Sequence, residues 1–238
     1  NAGLKRGLNG QSWIQTRYHY MNTKKKSDPG HLRRASIAAR KALDDGKPDV
    51  IIAFDDYAQQ LAGSYYVNHP DIKIVFAAVN GGVETYNYIG ADNVTGIYER
   101  KPVAAIKETI TLLSKAIGKD IDGGDQVRIA LLGDTTLSAK RDEDYVGSYQ
   151  WAPLVYTGAF TIADFEQWKT TVFGLATKVD FIMVGGYRKL KRLPDSGPKE
   201  EFVPPGEVMR WTEKNSPVPV IGIDIFNTED GAMMSVGV

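Results

Sequence analysis

The chain has 238 residues, 42% hydrophobic and 24% charged, which is ordinary globular composition and enough for one large domain or two small ones. Lys plus Arg and Asp plus Glu are equal at 29 each, so net charge points to neither nucleic acid nor a membrane surface as partner. There is no cysteine, which excludes thiolate metal sites, disulfides and cysteine nucleophiles together, and the three histidines (His19, His31, His69) lack metal-ligand spacing.

Strand-like and helix-like runs alternate along the chain. "NAGLKRGLNG" reads as part of a helix, and Ser12 to Met21, rich in β-branched and aromatic residues, predicts a strand. Gly30 to Lys47 has apolar residues near helical spacing with Gly46 as a stop. "DVIIAF" predicts a strand, Tyr57 to Asn68 a helix, and Ile72 to Val79 a strand, before a Gly-, Asn- and Tyr-rich loop leading to "NVTGIYE". Pro102 to Ile117 predicts an amphipathic helix, with Pro102 near the first turn, where its missing N–H costs least.

"QVRIALLGD" predicts a strand, and the helix after it has Thr135 or Thr136 near its N-cap. "APLVYTGAF" (strand), "TIADFEQWKTTVFGLATKV" (helix) and "DFIMVGG" (strand) follow. A Pro- and charge-rich loop, Arg188 to Pro205, precedes a helix near Glu207 to Lys214 and a final strand, "VPVIGIDIF". Two successive β/α sets with near-continuous Val/Ile/Leu strands predict an α/β chain of two doubly wound lobes. The boundary is expected near residues 95–100, giving lobe 1 as 1–97 with a return segment 224–238, and lobe 2 as 98–223.

Open parallel sheets bind ligands outside the carboxyl ends of their strands. The residues expected there are Asp55, Asp56 and Tyr57, then Asn80 and Gly81, then Glu99, Thr135 and Thr136, Tyr187, and finally Asp224 and Phe226. Acids outnumber bases in this set, which favours a ligand bearing an amino or other cationic group. Its aromatic rings suit a flat ligand or a shielded cation, or else simply pack the interior. Either of Asp55 and Asp56 can instead cap the next helix. No nucleophile elbow, phosphate loop or dinucleotide fingerprint is present, so the residues suggest neither catalysis nor a cofactor.

Four separated segments, "KPDVIIAFDDYA", "IKIVFAAVN", "NVTGIYE" and "PVPVIGIDIFNTEDGAMMSVGV", together with "YHYMNTKK" near the start, resemble the substrate-binding protein family of ABC importers. Related extracytoplasmic sensor domains of bacterial signalling proteins share the pattern. The resemblance implies a type I periplasmic-binding-protein fold, two Rossmann-like lobes joined by a hinge and closing on a small molecule. It implies an aromatic or other amino acid as ligand, with Asp224 taking the ammonium and Thr135, Thr136 and nearby backbone N–H groups the carboxylate. An ABC permease is the implied partner, the location periplasmic or extracellular and membrane-associated, with no enzymatic role. The input domain of a membrane-bound kinase or cyclase is the alternative, and a hydrolase on the same fold a third. In the family a first strand lies before the point matching Asn1, and a last strand and helix lie after Val238. The chain is therefore expected to be truncated at both ends.

Overall fold

In a computed structural model, which describes residues 2–192 and 201–237, the chain divides into two compact units. One comprises Asn1–Phe76 and Val83–Gly96, the other Ala77–Gly82 and Ile97–Val238.

The first unit opens with a short helix, α1 (Ala2–Gly7). Residues 12–21 form no strand, contrary to their β-branched and aromatic content, and Trp13 and Tyr20 are 79% and 67% exposed. β propensity expresses a fit to a pleated, partnered surface rather than a backbone preference. Among the described residues no strand pairs with this segment, and it stays irregular. α2 (Pro29–Gly46) begins at Asp28, whose carboxylate accepts from the His31 N–H at 2.8 Å, with Pro29 in the first turn.

β1 (Val50–Phe54), β2 (Lys73–Val79) and β3 (Val94–Tyr98) form a sheet in that order. Ile51, Ala53, Ile74 and Phe76 face the interior. The helix expected over residues 57–68 is shorter: α3 (Asp56–Leu61) stops and a single 3₁₀ turn follows at Gly63–Tyr66. In that turn Gly63 leaves room for the Tyr88 hydroxyl, since a Cβ there would lie 2.6 Å from it. Gly96 is needed for a similar reason, because a Cβ there would lie 2.3 Å from the Phe76 carbonyl oxygen. Asn93, in a glycosylation-type sequence, is buried and its Nδ2 donates to the carbonyls of Tyr66 (2.9 Å) and Ile72 (2.8 Å), so it is not presented for modification.

The second unit is built on a parallel four-stranded sheet, β5-β4-β6-β9, with β4 (Arg128–Asp134), β5 (Val155–Ile162), β6 (Phe181–Val184) and β9 (Val220–Gly222). The residue-by-residue alternation of β4 and β6 explains why these runs are apolar throughout. Ala130, Leu132, Ile182 and Val184 pack on one face with α6 (Phe165–Leu175) and α7 (Pro205–Asn215). Ile129, Leu131, Phe181 and Met183 pack on the other with α4 (Val103–Ser114) and Val146 of α5 (Leu137–Gly147). A sheet covered by helices on both faces is the doubly wound arrangement the sequence predicts.

Part of the loop expected over 188–205 pairs instead: β7 (Lys191–Arg192) lies antiparallel to β8 (Glu201–Phe202), while its residues 193–200 lie outside the described residues. The last predicted strand is also shorter, because Asp224 starts α8 (Ile225–Glu229), with its N–H donating to Asn227 Oδ1 at 2.8 Å. Residues 224–237 pack in the second unit, where Gly222 exchanges backbone hydrogen bonds with Met234 and Val236. Among the described residues, no helix is long and apolar enough to cross a membrane.

Candidate functional site

In the first unit the two carboxylates after β1 have different fates. Asp55 caps α3: its Oδ1 accepts from the Asp56 N–H at 2.7 Å, and its Oδ2 meets Lys24 Nζ at 2.6 Å. Lys24 is itself largely exposed, with 78% of its side chain in solvent. Asp55 adopts φ 76°, ψ 157°, a region populated almost only by glycine, at a cost of about 1–3 kcal/mol. Asp56 is fully buried and accepts from the Tyr86 hydroxyl. Gln59 reinforces the turn, donating to the carbonyls of Ala53 (2.9 Å) and Asp55 (3.1 Å) and accepting from the Tyr88 hydroxyl (2.8 Å). Tyr57 is half-buried, and burial together with the Asp55 charge raises its pKa.

The strain at Asp55 gives an ordered prediction. Asp55→Gly and Asp55→Ala both lose the cap and the Lys24 contact, but only glycine relieves the backbone. The alanine variant is therefore expected to be less stable than the glycine variant by about 1 kcal/mol in urea denaturation. Equal stabilities would show that the backbone there is unstrained.

In the second unit a buried charge cluster draws together side chains from four separate segments. Lys101, between β3 and α4, has 3% of its side chain exposed. Its ammonium pairs with Asp224, at the N-cap of α8, and lies 3.3 Å from Asp142 Oδ2 on α5. Asn80, following β2, donates from Nδ2 to Asp142 Oδ1 at 2.8 Å. Burial opposes the charge on Lys101, yet Asp142 and Asp224 together outweigh it and hold its pKa above the ordinary value. Burial also pushes the Asp142 carboxyl up to about 6, against the pull of Lys101 and Asn80 and with a further push from Asp224. The neighbouring Arg100 guanidinium stacks on Tyr98 at 3.8 Å and donates to the Asn80 carbonyl at 2.6 Å.

The carboxyl end of β4 is equally fixed. Asp134 Oδ1 accepts from the Thr136 N–H (3.0 Å) and hydroxyl (2.6 Å), and its Oδ2 from the Lys189 N–H (3.0 Å). Thr136 is the N-cap of α5 and accepts from the Ala139 N–H, while Thr135 is exposed. A cavity the size of one water molecule opens here, lined by Gly133, Asp134, Ala139, Asp142, Phe160 and Gly186. Further along, Tyr187 is fully buried, donates its hydroxyl to Asp230 at 2.8 Å, and lies 5.8 Å from the Phe226 ring, on which Arg188 stacks.

Of the residues predicted to line a site, Asn80 and Asp224 enter one cluster, and Tyr187 and Phe226 form one aromatic pair. Thr136 is engaged within its own turn, Gly81 is buried, and Glu99 is exposed. Asp55, Asp56 and Tyr57 belong to the first unit. The residues that sequence reasoning missed are Lys101 and Asp142, which bind Asp224 and Asn80 together. A signal for Asp142 was present: it shares the buried face of α5 with Ala139 and Val146, at i, i+3 and i+7. Nothing in the "ERKPVA" context distinguishes Lys101 from a surface lysine. Among the described residues, no group of three or more His, Asp or Glu is arranged to hold a metal ion.

This architecture is that of the type I periplasmic-binding-protein fold. The chain is similar to the ABC domain in complex with L-Trp from Streptococcus pneumoniae, with TM-score 0.61 at 17% identity, over 100% of this chain and 73% of that one. It is equally similar to a conserved domain protein from Vibrio cholerae (TM-score 0.61, 17% identity, 99% of this chain and 72% of that one). A substrate-binding protein with adhesive properties from Clostridium difficile, in its ligand-free, open form, follows (TM-score 0.56, 16% identity, 97% and 71%). No family model and no curated protein matches the chain by sequence.

Proposed function

We propose that the protein is an extracytoplasmic solute-binding protein of an ABC importer whose ligand is an amino acid or a related small molecule with an amino group. The observation that carries this reading is the shared fold with the L-Trp-bound domain over the whole of this chain. Hydrogen-bonding and aromatic residues at the strand exits support it, since ligands of open α/β sheets bind there. On this reading Glu99, exposed in the second unit, supplies a carboxylate for a cation, and Thr135 with the start of α5 receives a carboxylate. Asp224 is charge-paired with Lys101, so it acts on a ligand together with that lysine rather than as a free acid. An ABC permease is the proposed partner.

A thermal-shift screen of the purified chain against the twenty amino acids, polyamines, nucleosides and simple sugars tests the reading. A ligand at a hundredfold excess over its Kd adds about 2.7 kcal/mol of stability, a shift of a few degrees. Stabilisation by one or more amino acids is expected. A response confined to sugars or nucleosides would contradict the proposed ligand class.

A further inference from the structure

The chain passes from the first unit into the second at Ala77–Gly82 and again at Ile97, and both incoming segments are held by the same buried cluster. Asn80 lies in one of them and Lys101 just inside the other, and each is fastened to Asp142. With Asp224 the cluster holds two carboxylates and one ammonium, so when both acids are ionised it is one positive charge short.

We propose that Asn80, Lys101, Asp142 and Asp224 form a proton-dependent clasp, closed when Asp142 carries a proton and loosened when it does not. In the protonated clasp Lys101 and Asp224 are a neutral pair, and the Asp142 carbonyl oxygen still accepts from Asn80. In the ionised clasp an uncompensated charge sits in a site with 9% or less of any of the three charged side chains exposed. Moving Asp142 into water relieves that charge.

The groups facing Asp142 from the packed elements are Lys101, Asp224 and Asn80, with Glu99 acting on Lys101. On α5 itself, Arg141 reaches Asp144 and Glu143 accepts from the Thr161 hydroxyl, so both are directed elsewhere. The direction follows from linkage. The closed form binds its proton more tightly than the open one, so acid favours closure, and the clasp loosens as pH rises through about 6. With the open form titrating as an ordinary Asp, opening is about tenfold more frequent at pH 8 than at pH 5. Nothing here depends on the proposed solute, because every observable is read on the ligand-free chain.

The test is amide hydrogen exchange of the 238-residue chain at pH 5 and pH 8, corrected for intrinsic chemical rates, on wild type and Asp142→Asn. In wild type, protection over residues 77–82 and 97–103 is expected to fall about tenfold from pH 5 to pH 8 relative to segments elsewhere. In Asp142→Asn, which fixes the uncharged form, protection should stay high and flat. Unchanged wild-type protection, or a variant that keeps the wild-type response, overturns the clasp. Should the variant not fold, the Asp142 carboxyl carbon is followed by NMR in wild type. A midpoint near 6 supports the clasp, and one at or below about 4 overturns it.

Discussion

Replacing Lys101 by Met is expected to destabilise the chain by about 3–5 kcal/mol in urea denaturation, among the largest single-residue effects in the second unit. The side chains are similar in length, so little packing volume is lost, and the effect is electrostatic. Removing the ammonium strands two carboxylates in a site from which water is nearly excluded, with 9% of Asp142 and 5% of Asp224 side chain exposed. Asp142→Asn should do the opposite at pH 7.5. It removes the excess negative charge and leaves the neutral Lys101–Asp224 pair with its contact intact. A Lys101→Met variant within about 1 kcal/mol of wild type would mean that the carboxylates are hydrated or protonated without cost, and the cluster is not the electrostatic unit described.

Trp168→Ala is expected to cost a similar amount, about 3–5 kcal/mol, for a different reason. Trp168, on α6, is fully buried in the core cluster that includes α7 and one face of the sheet. Its ring lies 6.2 Å from that of Tyr187, and its Nε1 donates to the Thr212 hydroxyl at 2.9 Å. Truncation leaves a cavity between two helices and the sheet that the surrounding Ile182, Val184 and Met209 cannot fill, and it removes the donor to a buried hydroxyl. Trp168→Phe keeps most of the volume and should retain well over half of the lost stability. If the alanine and phenylalanine variants were equally stable, the ring would not be packed as described.

Much of the second unit was legible in the sequence because its signal is strong and local. β4 and β6 are apolar on both faces, so "RIALLG" and "FIMV" announce buried parallel strands without any knowledge of their partners. A threonine cap for α5, at Thr135 or Thr136, was readable from the residue type and the helical pattern after it, and the structure uses Thr136. The failures are cases where a distant partner decides. Residues 12–21 have strand composition and, among the described residues, no strand to pair with, and the helix after Asp56 ends at Leu61, short of the Asn68 its pattern suggests.

The site residues divide along the same line. That one of Asp55 and Asp56 can cap a helix follows from one turn of sequence, whereas the choice of Asp55, its strained backbone and its Lys24 contact do not. The family resemblance implies Asp224 as the partner of a ligand's ammonium. The ammonium at that carboxylate belongs to Lys101, 123 positions earlier in the chain, and no spacing rule connects the two. Buried ion pairs between separate segments are set by topology, which a single sequence carries only implicitly.

The most direct test of solute binding is isothermal titration calorimetry of the purified chain with L-tryptophan and with each amino acid that raises its melting temperature. The ligand should then be recovered and assayed for chemical change. Saturable binding near one molecule per chain, with the ligand recovered unaltered, is the expected result. Amino acids that neither bind nor stabilise the chain, or a ligand recovered as a reaction product, would contradict the proposal.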